Sequence, residues 1–271
     1  MNRLLPAGLL LLIVAACGSS ESPSGTRVDP APAQLEVAMT READWTLAPP
    51  PVAAQQADLG SIRIHIRLDG TAPGNRVIRM GMDPGCDVAS GGQIVTEEGV
   101  AVTREGDLAN VFVRLEGDFP PVAPPSWPVQ IDQSGCVYRP HVVGVQVGQV
   151  LEMHNGDDLS HNLHASSRQG NDFNVGQAVE GLVYRYQPQS EEFMLQLGCD
   201  IHRWMRSYIG VVGHPYFGVS APDGSATIRN VPPGTYTLHS WHEIFGDQTT
   251  TVEVRAGEST VLEIAYQSAG A

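Results

Sequence analysis

Between Ser61 and Leu68 apolar and polar side chains alternate without a break, Ile62, Ile64, Ile66 and Leu68 against Arg63, His65 and Arg67, and the run stops at Asp69-Gly70. A period of two is the pattern of a strand with one buried face. Further strand-like runs follow at Val100 to Val102, Val111 to Leu115, Val142 to Val147, Val150 to His154, Phe193 to Leu197 and Ile209 to Val212, each bounded by Gly, Pro, Asp or Asn. No long amphipathic helix pattern stands out. With 29 Gly and 20 Pro among 271 residues, the chain has the turn residues that many short strands need. The expectation is an all-β protein built as sandwiches or barrels.

The last third has the cleanest texture: Asp223-Gly224, Ala226 to Val231, Pro232-Pro233-Gly234, Thr235 to Trp241, Thr249 to Val254, Ala256-Gly257 and Val261 to Tyr266. These read as hairpins in series. The stretch from Asp223 to Leu238 resembles the carboxypeptidase regulatory-like, prealbumin-type β-sandwich. That resemblance implies a smaller structural module over residues 214–271, whose first strand could come from Ser61 to Leu68.

A formal net charge of −14 argues against nucleic acid as a partner, because neutralising phosphates takes a basic face. At the N-terminus, Arg3 precedes an apolar run from Leu9 to Ala16 that is too short to span a bilayer and ends in small residues before Cys17. This is the build of an export signal over residues 1–17. Val14-Ala15-Ala16-Cys17 resembles a bacterial lipobox, which implies lipidation at Cys17 and a membrane-tethered lipoprotein in the periplasm or on the cell surface. Residues 18–59 are rich in Ser, Pro, Ala and Gln and cannot supply a core, so they read as a disordered linker.

The chemistry concentrates in Cys199-Asp-Ile-His202-Arg-Trp-Met205, a loop between the runs ending at Leu197 and starting near Tyr208. A thiolate, an imidazole and a thioether at three-residue steps are soft donors that suit copper cycling between two oxidation states. Upstream, Asn155-Gly-Asp-Asp-Leu-Ser-His161-Asn162-Leu-His164 offers a further imidazole in a turn after a strand.

The two segments together resemble the cupredoxins, with loop spacings like those of the amicyanin type. The resemblance extends loosely over residues 60–213 and implies a Greek-key β-sandwich. It also implies one type 1 copper with His161, Cys199 and His202 in the trigonal plane, Met205 as axial ligand, and Asn162 pinning the ligand loop. His164 is the alternative to His161. Two departures stand out: Arg203 occupies a position where amicyanin has proline, and the region from Ser61 to Ser134 is longer than a minimal cupredoxin needs. The family's second histidine has an exposed ring edge framed by apolar side chains, which places Trp204 on a docking patch rimmed by Arg203 and Arg206. With Cys17 and Cys199 assigned, Cys86 and Cys136 remain, and in an oxidising compartment they are expected to form a disulfide.

The functional expectation is an electron-transfer protein, not an enzyme, that carries single electrons between redox protein partners outside the cytoplasm, with no small-molecule substrate. The alternatives are a copper-sequestering or copper-delivery protein, or a metal-free envelope scaffold. His214, His239, His242 and Glu243 raise a second-metal or catalytic alternative, weighed against solvation of polar residues at strand ends.

Overall fold

A computed structural model describes residues 58–268. The export signal, the lipidation position Cys17 and the linker up to residue 57 lie outside the described residues. Sixteen strands and one short helix, α1 (Pro84–Ala89), account for nearly all of the regular structure, so the chain is all-β. Among the described residues no helix is long and apolar enough to cross a membrane.

The strands form four sheets in two sandwiches. In the first sandwich, one sheet has the order β5 (Val142–Gln146), β11 (Arg206–Val212), β10 (Glu192–Gly198), β7 (His161–Ala165), β8 (Phe173–Gln177). It faces β4 (Tyr138–Arg139), β3 (Val129–Gln133), β6 (Leu151–Asn155) and β9 (Val183–Tyr186). The non-sequential order, with β10 between β7 and β11 and β6 between β3 and β9, carries the chain from sheet to sheet in Greek-key fashion. Between the sheets lie Ile131, Val145, Leu151, Met153, Leu163, Leu197, Ile209 and Val211, together with the sulfur-bearing side chains of Cys86, Cys136, Cys199 and Met205.

The second sandwich pairs β13 (Ser225–Val231), β1 (Gly60–Asp69) and β16 (Ser259–Gln267) with β12 (Phe217–Val219), β2 (Phe112–Glu116), β14 (Gly234–His242) and β15 (Gly246–Val254). Ile62, Ile64, Ile66 and Leu68 turn inward as their alternation requires and are at most 6% exposed. The partition at residues 213/214 is therefore corrected: β1, as the resemblance allowed, and β2, which it did not foresee, belong to the C-terminal sandwich although they come from the front of the chain. β13, antiparallel, and β16, parallel, pair both edges of β1, and its apolar face is covered by Val113, Leu115, Leu238 and Val252 of the other sheet.

The series of hairpins also resolves differently. Only β14 and β15 form a hairpin with each other; β13 and β16 cross to the other sheet to flank β1. Pro232 and Pro233 sit at the β13–β14 crossing, where a residue without an N–H cannot extend a ladder. The run Val100 to Val102 supplies only an isolated bridge, Val102 to Leu108.

Phe112, Val142 and Val212 form an apolar joint between the sandwiches, packed by Phe193, Phe217 and Trp241. Gly144 and Gly210 face each other across β5 and β11. A Cβ at Gly210 would lie 2.4 Å from the Phe112 ring and one at Gly144 2.5 Å from Phe217, so both rings reach the sheet only because these positions are glycine.

Candidate metal centre

His161 opens β7, and strand alternation decides which way its side chain goes. His161, Leu163 and Ala165 face the sandwich interior and are at most 1% exposed. His164 faces the other way, half-exposed, and its Nδ1 lies 2.9 Å from Asp200. His161 thus begins a strand instead of lying in a turn, and it is the imidazole that meets the Cys199 loop.

The loop leaves β10 at Gly198 and rejoins the sheet at Arg206. It is held by its own backbone: Met205 N–H donates to the His202 carbonyl at 2.8 Å, and His202 N–H points at Cys199 Sγ at 3.4 Å. The loop turns Cys199, His202 and Met205 inward, where each is at most 4% exposed. One donor atom from each of His161, Cys199 and His202 lies within 4.8 Å of the other two. The closest approach is His161 Nδ1 to His202 Nδ1 at 3.0 Å, and Cys199 Sγ is 3.9 Å from His202 Nδ1.

Both histidines have their other ring nitrogen engaged. His161 Nε2 lies 2.9 Å from Asp157 Oδ2, and His202 Nε2 lies 2.9 Å from Asp83 Oδ2. A carboxylate there fixes the proton on Nε2 and leaves Nδ1 as a lone-pair donor. Two such lone pairs 3.0 Å apart, with a thiol beside them, require either a shared proton or a cation between them. The donor set of two imidazoles, one thiol and a neighbouring buried thioether fits copper, so the residues present suit the ion that the family resemblance implies.

The protonation energetics agree. Burial works against a charged His161, yet the hydrogen bonds to Asp157 and Cys199 outweigh it and raise the imidazole to about 9. Burial likewise pushes the Cys199 thiol up, but His161 and the surrounding backbone N–H groups bring it below its ordinary value. The pocket stabilises the thiolate that a metal needs.

Asn162 faces away from the donors and ties the loop to the sheet. Its Oδ1 accepts from Asp200 N–H at 2.6 Å and its Nδ2 donates to Asp200 Oδ2 at 3.0 Å. Tyr138 braces the two ligand segments from within: its hydroxyl donates to the Asn162 carbonyl at 2.6 Å and lies 3.1 Å from that of Gly198. Burial, then the negative charges of Cys199 and Asp200, push the phenol up, which keeps it a donor.

Cys86 and Cys136 form a disulfide, and it lies against the site, its two sulfurs and a ring nitrogen of His202 all being within 4.8 Å of one another. The segment carrying Cys86 covers His202, which is 2% exposed. The exposed ring edge implied by the resemblance is therefore corrected: Asp83 and α1 occupy that side. Trp204 is half-buried, its ring centroid 5.2 Å from that of His202, and its indole N–H donates to the Cys136 carbonyl at 2.9 Å.

Among the described residues, every trio of His, Cys, Asp or Glu close enough to share an ion lies in this one place. The residues weighed for a second centre disperse. His239 pairs with Asp247 at 2.7 Å, His214 stacks against Tyr216, and Glu243 pairs with His141 at 2.8 Å. His242 accepts from two backbone N–H groups through Nδ1.

Asp83, Asp157 and Tyr138 were not among the residues singled out from the sequence. A signal existed for Asp83, since Asp-Pro opens a helix, and Asp83 does accept from Gly85 and Cys86 N–H at the start of α1. Asp157 stands four residues before His161, a spacing without meaning outside a helix.

Residues 211–262 match the family described as polysaccharide lyase family 4, domain II. This replaces the carboxypeptidase regulatory-like resemblance for that stretch; small β-sandwich modules share one grammar of turns and alternation, so the pattern does not separate them. Curated proteins give no match. Among solved structures, the chain is similar to a Cu-containing nitrite reductase from Thermus scotoductus SA-01, at 24% identity and TM-score 0.29, over 34% of this chain. It spans 25% of the length of that reductase. It is also similar to a purple cupredoxin from Nitrosopumilus maritimus, at 20% identity and TM-score 0.27, over 30% of this chain and 97% of that one. A third match is an oxidised proline-to-alanine variant of amicyanin, at 17% identity and TM-score 0.28, over 31% of this chain and 81% of that one.

Proposed function

We propose that the protein is an exported type 1 copper protein that carries single electrons between extracytoplasmic redox partners and transforms no substrate. The observation that carries this reading is the convergence of His161 Nδ1, His202 Nδ1 and Cys199 Sγ in a buried site where both Nε2 atoms are already engaged by carboxylates. A copper ion held there by these three and by Met205 would supply one-electron redox chemistry.

The protein's own part is to hold still. The disulfide, Tyr138 and Asn162 brace the two ligand segments, and burial keeps water away from the donors. A site that moves little between oxidation states has a low reorganisation cost. The proposed lipid anchor at Cys17 and the linker after it would hold this head near the membrane, within reach of partner proteins.

The test is an optical and EPR spectrum of the copper-loaded protein. Wild type should show intense thiolate-to-copper charge transfer and reversible redox, and Cys199→Ser should lose both while keeping its far-UV circular dichroism. A colourless wild type that passes copper to an acceptor would point to delivery. One that binds no copper would point to a scaffold, and a blue Cys199→Ser variant would overturn the site.

A further inference from the structure

Asp83 and Asp157 reach the two imidazoles from opposite segments in matching ways. Asp83 Oδ2 faces His202 Nε2 at 2.9 Å, while its Oδ1 accepts from the N–H groups of Gly85 at 2.9 Å and Cys86 at 3.4 Å. Asp157 Oδ2 faces His161 Nε2 at 2.9 Å and accepts from Cys136 N–H at 2.9 Å, while its Oδ1 accepts from Gly135 N–H at 2.7 Å. Each carboxylate is thus moored to the backbone of one half of the Cys86–Cys136 disulfide and points at one imidazole.

We propose that Asp83 and Asp157 are positioning residues that set the copper affinity and lower the reduction potential of the site, with the Cys86–Cys136 disulfide as the clasp that holds both. This rests on the copper reading above. A carboxylate on Nε2–H fixes the tautomer and ring orientation and makes Nδ1 a stronger donor. Two negative charges one imidazole away from the metal also favour the more highly charged oxidation state, so their removal should raise the potential. The disulfide matters because Asp83 and His202 are 119 residues apart and would otherwise meet only through the packing of a six-residue helix.

Asp83→Asn isolates the charge, since asparagine caps a helix as well as aspartate does. The control is Asp87→Asn, an exposed change of the same net charge on the same helix. Copper affinity by chelator competition should fall about 10–100-fold in Asp83→Asn and its potential should rise, with the blue absorption retained; Asp87→Asn should match wild type. Asp157→Asn should act the same way through His161. Affinity and potential in Asp83→Asn equal to those of the control would overturn the proposal. A metal-independent readout separates its failure from that of the copper reading. In the metal-free protein, nitrogen NMR should show a proton on Nε2 of both His161 and His202, the atoms that face Asp157 and Asp83, and Asp83→Asn should perturb His202 alone. Those signals without any blue copper would overturn the copper reading but leave the positioning role, whereas their absence in wild type would overturn the positioning role.

Discussion

His161 and His202 in the first sandwich and His242 in the second are all at most 2% exposed, yet their surroundings differ in kind. The first two have carboxylates on Nε2 and face each other and a thiol through Nδ1. His242 accepts two backbone N–H groups through Nδ1, and its Nε2 has no hydrogen-bond partner. The cores around them differ in the same sense. Cysteine and methionine sulfurs sit within the first, whereas Ile, Leu, Val, Tyr and Ala make up the second. Burying an imidazole is therefore not by itself a functional sign. What separates a candidate ligand from a packed histidine is whether the surrounding groups prepare a lone pair and leave it aimed at other donors.

The largest expected difference between the two sandwiches lies at the disulfide, which only the first one has. Replacing both Cys86 and Cys136 by Ser should destabilise the first sandwich by about 4 kcal/mol, the loop-closure entropy expected for a separation of 50 residues. Denaturant unfolding of the metal-free protein measures it, and the loss should be accompanied by weaker copper binding. In the second sandwich, Ile62→Ala removes buried methyl groups at a 0% exposed position and should cost roughly 2–5 kcal/mol. The copper absorption should stay unchanged, because no ligand belongs to that core; a change in it would show the two sandwiches to be coupled.

The smallest effect concerns His242 and pH. Burial pushes this imidazole down to about 4, with the charge of Glu243 opposing the shift and that of His141 adding to it. The fold therefore favours the neutral ring. Its contribution is complete above the unfolded value of about 6.5 and is lost as pH falls from there to about 4, to the extent of roughly 3 kcal/mol. Urea midpoints measured across that window should fall with acid, and His242→Gln, which keeps an acceptor but does not titrate, should flatten the slope.

Much of the architecture was legible because it is local. The inward face of β1 follows from alternation alone, and the Cys199 loop follows from three donors at a fixed spacing between two strands. His161 could be separated from His164 only once the register of β7 against β8 and β10 was known, since both lie on one five-residue strand. The partners of β1 were not legible either, because strand pairing across about 200 residues leaves no periodic trace in the sequence.

All-β character, the inward face of the first strand and the close grouping of Cys199, His202 and Met205 in one loop can be read from side-chain period and short spacing. Only folding brings β2 beside β14 in the C-terminal sandwich, His161 to Cys199, and Asp83 and Asp157 behind the two imidazoles. Hydrogen bonds to side chains far along the chain depend on where packed sheets and a disulfide bring segments together, and no local pattern encodes that meeting.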